Sequence, residues 1–320
     1  MRTSIALLSA LLAALSMAAS AEPGAYQPPR HADGRPNFEG LWTNTNSTPL
    51  VRPPGYTRLV ISEAEAHEID SQRLAREEDQ GPNDPPESNE VRRIEPVSGT
   101  LRSSVIIDPP DGQLPGNEAL RERLAAIRPA FRTGMQGPEQ RPVPERCLGS
   151  AASLPPMLST QLNNLHLIVQ TPDAVLLFAE FMHDARIIRL SDQHAHPAVT
   201  SWLGDSIGWW EGDTLVVETT SFTPSNAART SLLGDYLISP RTLVTERFTR
   251  VSHEELNYKF TVEDPTWYVR PWTGETHFTL TNESLMEFAC HEGNYSLRFI
   301  LEAARTLEAA TVPGEKTGGN

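Results

Sequence analysis

The densest group of reactive side chains in the sequence is Glu180-Phe181-Met182-His183-Asp184-Ala185-Arg186, which sets four ionisable residues between two apolar runs. Histidine is the side chain whose ordinary pKa lies nearest neutrality. A carboxylate beside it fixes its tautomer and raises its basicity, so His183 with Glu180 or Asp184 suits general acid or base work. Arg186 adds a fork that can clamp a substrate carboxylate or hold a developing anion. The same residues also fit a structural role, with Asp184 capping a turn and Glu180 paired to Arg186 across a hairpin.

Two further clusters carry candidate partners. Cys290-His291-Glu292-Gly293-Asn294-Tyr295 places His291 beside acid and amide groups, and His291 with Tyr295 would form the wall opposite the first cluster. Trp202, Trp209 and Trp210 lie close to Asp205, and Glu218 follows on the next strand. Adjacent strand residues point to opposite faces, so at most one of Trp209 and Trp210 meets a given ligand. Trp209, Asp205 and Glu218 are therefore candidate substrate contacts, as is Trp272 from an aromatic loop stiffened by Pro265 and Pro271, which reads equally as a lid or as packing. Glu246 and Tyr258 add polar groups to the neighbouring strands.

His194-Ala195-His196, His183, Asp184, His291 and Glu292 are competent metal ligands, yet no HExxH or paired CxxC accompanies them and histidines in a loop before Pro197 are ordinarily solvated. No glycine-rich phosphate loop or G-x-S-x-G elbow occurs. No metal and no cofactor are expected.

These clusters need a scaffold, and the sequence supplies a β-rich one. From residue 165 onward apolar and polar residues alternate with period two, broken by Thr171-Pro172-Asp173, Glu211-Gly212-Asp213, Ser252-His253-Glu254 and Thr281-Asn282-Glu283. Strands are predicted over 165–170, 174–182, 185–190, 207–210, 213–222, 242–251, 255–263, 276–281 and 284–290. So many sequential antiparallel strands need their edges covered, so the expected fold is mainly β, a meander closing into a calycin- or lipocalin-like barrel. His183 and Asp184 would then sit in a hairpin turn at its rim. Phe38 to Thr43 reads as a first strand, and its Gly40-x-Trp42 resembles the opening of lipocalin-like barrels, where the tryptophan closes the floor.

The expected organisation is a signal peptide over 1–21, an irregular part over 22–160 with the first strand and two helices, a barrel with a C-terminal helix over 161–310, and a disordered tail over 311–320. Arg2, an apolar run over 5–18 and Ala19-Ser20-Ala21 have the form of a secretory leader, and no later run is long enough to span a membrane. A periplasmic location follows. Ser62 with Glu65 forms a capping box, and Asn117 caps a second helix. The formal charge of −14 argues against a nucleic-acid partner. In an oxidising compartment Cys147 and Cys290 read first as a disulfide; two buried thiols, or a reactive Cys290 beside His291, are the alternatives.

Taken together, Ser104-Val105-Ile106-Ile107-Asp108-Pro109-Pro110, Glu145-Arg146-Cys147, Glu180 to Arg186, Trp202-Leu203-Gly204-Asp205-Ser206, Trp210 to Val217 and Cys290 to Tyr295 resemble a large group of exported proteins of soil and aquatic bacteria. That resemblance covers most of the mature chain. Its members' setting, in bacteria that degrade aromatic compounds, implies a lyase or decarboxylase acting on aromatic, lignin-derived acids. Ile207 stands where an arginine often follows Asp-Ser in that group, which bears on specificity. The expected activity is thus acid-base lyase or decarboxylase chemistry on an aromatic small molecule. A binding protein for a hydrophobic ligand and a metal-dependent hydrolase are the alternatives, and assembly into a homodimer stays open.

Overall fold

The computed structural model describes residues 26–79, 93–133, 141–160, 164–224, 228–231 and 234–311. The expected signal peptide and all but the first residue of the expected tail lie outside them. The elements in chain order are β1 (Gly40–Thr43), α1 (Glu63–Asp79), β2 (Ile106–Asp108), α2 (Glu118–Thr133), β3 (Leu165–Gln170), β4 (Ala174–Ala179), β5 (Asp184–Arg189), β6 (Asp205–Glu211), β7 (Thr214–Thr220), β8 (Ala228–Ser231), β9 (Gly234–Leu237), β10 (Leu243–Arg250), β11 (Glu255–Glu263), β12 (Trp272–Leu280) and α3 (Ser296–Thr311).

Nine of the strands close into a barrel in the order β1-β3-β4-β5-β6-β7-β10-β11-β12, with β12 pairing back to β1. The fold is mainly β with peripheral helices, as the alternation predicts. Most inward positions are apolar: Ile168, Leu177, Ile188, Val217, Phe248, Tyr258 and Phe278 all belong to one core. Trp42 is wholly buried, donates its indole N–H to Phe38 O at 2.9 Å, and lies 5.2 Å from the Arg250 guanidinium. The helix starts behave as capping chemistry dictates, with Ser62 N donating to Glu65 Oε2 at 2.8 Å and Leu120 N to Asn117 Oδ1 at 2.9 Å.

Three features depart from the expected meander. First, β5 and β6 run parallel, Ile188 opposite Ser206 and Arg189 opposite Ile207, so the chain must cross over through residues 190–204 rather than turn back. Gly208 permits the close approach there: a Cβ on it would meet Ile188 Cγ2 at 2.7 Å. Second, a small separate hairpin, β8 with β9, interrupts the path from β7 to β10. Third, residues 284–290 form no strand. β12 already has β11 on one side and β1 on the other, which leaves no edge for another long strand to join. Instead the segment runs along the barrel rim and is tied down by the Cys147–Cys290 disulfide, which is formed.

Candidate functional site

The turn between β4 and β5 is a single 3₁₀ turn, Phe181–His183, in which Met182 and His183 take left-handed backbone angles of 69° and 52°. The 284–290 segment folds against it. Met286 N donates to Glu180 Oε2 at 2.6 Å, Phe288 N donates to His183 Nε2 at 3.1 Å, and the Phe288 ring stands edge-on to Phe181 at 4.6 Å. The Glu180 and His183 side chains therefore serve as acceptors for main-chain N–H groups of the rim segment. His291 and Tyr295 lie beyond the disulfide and are exposed, Tyr295 beside Phe299 at 6.4 Å between ring centroids. Met286 and Phe288 meet the 180–183 turn, through main-chain N–H groups and the Phe288 ring, whereas Cys290 and Asn294 contact Glu145 and Cys147.

Asp184 and Arg186 point inward from β5 and part company with His183. Asp184 accepts a short hydrogen bond from Ser153 Oγ, and its burial raises its carboxyl above the usual range. Arg186, 3 % exposed, forms a two-pronged ion pair with Glu246, which is 0 % exposed. Tyr258 OH donates to Glu246 Oε1 at 2.7 Å and accepts from Met157 N at 2.9 Å. The Arg186 fork is thus committed to a carboxylate of its own chain. Trp272 is fully buried among Tyr236, Phe260 and Tyr268.

Residues 150–158 close this end of the barrel. Ala152 O meets His166 Nε2 at 2.9 Å and Tyr236 OH donates to Pro156 O at 3.2 Å, in addition to the contacts of Ser153 and Met157. The segment also buries Leu154, Met157 and Leu158 almost completely. Re-exposing each would cost about 1.5–3 kcal/mol. That magnitude makes the segment part of the core, and the interior ion pair a structural one.

The outer wall is different. Along β6 the residues 205, 207 and 209 face outward, and along β7 the residues 214, 216, 218 and 220 do so, with Ile207 opposite Glu218 and Trp209 opposite Val216. The crossover lays His194 over this face. His194 Nδ1 lies 2.8 Å from Asp205 Oδ2 and His194 Nε2 lies 3.1 Å from Glu218 Oε1. Arg189 grips Asp205 with two hydrogen bonds of 2.7 and 3.0 Å, and Ala195 N adds a third at 2.9 Å. The Arg189 guanidinium, foremost, with the Ala195 N–H and His194, holds the Asp205 carboxyl far below the usual range against the opposing effect of burial. The row is partly open to water: His194 keeps 21 % of its side-chain surface and Glu218 33 %. Trp209, 38 % exposed, lies on the same face. Gly204, at φ +73°, lets the crossover enter β6 so close that a Cβ would meet Thr220 O at 2.6 Å.

So Asp205, Glu218 and Trp209 do share one face, while Glu180 with His183, Asp184 with Arg186, and Trp272 occupy three other places. The residues the spacing did not single out are His194, as a member of this row, and Arg189. Among the described residues no three His, Cys, Asp or Glu side chains are placed to hold a metal ion, and no helix is long and apolar enough to cross a membrane. No protein-family model, curated protein or solved structure matches the chain.

Proposed function

We propose that the protein is an exported lyase that acts on an aromatic small molecule by proton transfer from its own side chains, at the Asp205-His194-Glu218 row. The carrying observation is that both ring nitrogens of His194 lie within hydrogen-bond reach of carboxylate oxygens. An ionised carboxylate can only accept, so Asp205, kept ionised by Arg189, accepts a hydrogen bond from His194 Nδ1–H and fixes the ring's orientation. The 3.1 Å contact to Glu218 then also contains a proton, on His194 Nε2 or on Glu218. His194 and Glu218 are the catalytic pair; Asp205 and Arg189 are positioning residues. Glu218 Oε2 makes no hydrogen bond to the described residues and is left to meet a substrate. Trp209 supplies a flat apolar surface on the same face.

The test is turnover of aromatic probes by wild type, His194→Gln and Glu218→Gln, with folding checked by circular dichroism. Loss of about 100-fold or more in both variants supports the reading, since that is the usual size of a general acid-base contribution. Unchanged turnover in both overturns it. A metal-dependent hydrolase has no donor set among the described residues to rest on. A binding protein would show stoichiometric capture of the same probes with no product.

A further inference from the structure

If the row works by acid-base chemistry, as read above, its composition selects among lyase reactions. Two properties matter, the number of protons the pair holds and the cations within its reach. His194 and Glu218 share one proton, as the 3.1 Å contact requires. The outward guanidinium groups of β5, β6, β7 and β10 are both engaged: Arg189 with Asp205, and Arg247 with Glu211. No cation of the β5, β6, β7 and β10 outer wall is left to receive a substrate carboxylate, and Glu218 would repel one.

We infer that the site catalyses a β-elimination, breaking the carbon-oxygen bond of an uncharged aromatic substrate whose C–H is made acidic by a neighbouring carbonyl. Glu218 Oε2 takes the proton from the α-carbon, and the C–H electron pair becomes the carbon-carbon double bond. The β-carbon to oxygen bond breaks with its pair on oxygen, and His194 Nε2 gives that oxygen its proton. Glu218 is then a neutral carboxyl and His194 a neutral imidazole. Passage of the proton from Glu218 to His194 across their contact restores the starting state, so one shared proton serves every turnover and no oxidant, reductant or co-reactant is needed. A decarboxylation instead replaces carbon dioxide by a proton. It would empty the pair each time and would require a carboxylate at a face whose arginines are already occupied.

The experiment compares a neutral β-phenoxy ketone, its 4-nitrophenoxy analogue and 4-hydroxycinnamate as probes. Phenol release from the first is expected to fall at least about 100-fold in both Glu218→Gln and His194→Gln. The 4-nitrophenoxy group leaves without a proton, so this probe should restore most of the rate in His194→Gln and none in Glu218→Gln. That split is one a merely structural role for His194 would not produce. Carbon dioxide release from 4-hydroxycinnamate, lost in both variants, with no phenol from the ketone, overturns the elimination and leaves the acid-base reading standing. Turnover of neither probe, or turnover untouched by both substitutions, overturns the two together.

Discussion

Two charged groups, one inside the barrel and one on its outer wall, have opposite fates. Inside, Arg186 binds Glu246 through both terminal nitrogens and Tyr258 OH donates to the same carboxylate, all three nearly or wholly buried. Outside, Arg189, Asp205, His194 and Glu218 form a row whose last member is partly wet and keeps one oxygen uncommitted. Removing two charges from water costs several kcal/mol per ion, which only close mutual contact offsets, so the inner group is locked in place by its own burial. The outer group is screened and contributes little to stability. Reactivity is therefore to be sought where stability is not.

That contrast can be broken by mutation. Glu246→Ala leaves Arg186 charged in the core and is expected to destabilise the fold by about 3–5 kcal/mol, measured by urea unfolding. A loss below about 1 kcal/mol would mean that water reaches the interior. Cys147→Ser is expected to remove about 2–4 kcal/mol by freeing the long loop the disulfide closes, while the barrel's near-ultraviolet spectrum persists.

Acid should act on the inside before the outside. Burial lowers the pKa of His166 and of His277 below the ordinary 6.5, so below pH 6.5 the unfolded chain takes up protons that the native state refuses. The stability these histidines contribute is complete above pH 6.5 and is lost as pH falls through their folded values. Asp205 is depressed below 3.8, so its contribution holds above 3.8 and goes only as pH falls through its still lower folded value. Urea midpoints should therefore decline between pH 7 and 5, and an unchanged midpoint would contradict the buried histidines. Asp184 has the reverse sign, its folded pKa being raised above 3.8. Its stabilisation is present below 3.8 and is lost as pH rises through the folded value, so Asp184→Asn should raise the urea midpoint at pH 7, with the gain fading toward pH 4. Smallest of all, Glu218→Gln should change stability by less than about 1 kcal/mol.

The barrel was legible in the sequence because its inward positions are mostly apolar and recur at every second residue, the pattern of a half-buried strand. The charged core was half legible. Glu246 sits in phase with Val244 and Phe248, and Arg186 in phase with Ile188, which marks both as inward; their pairing across the barrel depends on closure, which no local pattern encodes. Residues 284–290 read as a strand from local alternation, yet a strand also needs an edge, and the closed barrel had none to offer. His194 was least legible. It lies in an irregular crossover, and its two carboxylate partners reach it only because β5 and β6 pair in parallel.

Barrel closure has a consequence for how the molecule comes into being. β1 pairs with both β3 and β12, setting Trp42 opposite His166 on one side and Leu280 on the other. The second of these contacts joins residues near opposite ends of the chain, and such distant pairings make folding slow because loop entropy must be lost before the contact forms. Until residue 280 is available the earlier strands present an open edge, the surface through which partly made sheets aggregate. The time this barrel spends unfinished, more than the stability it reaches, should limit its yield.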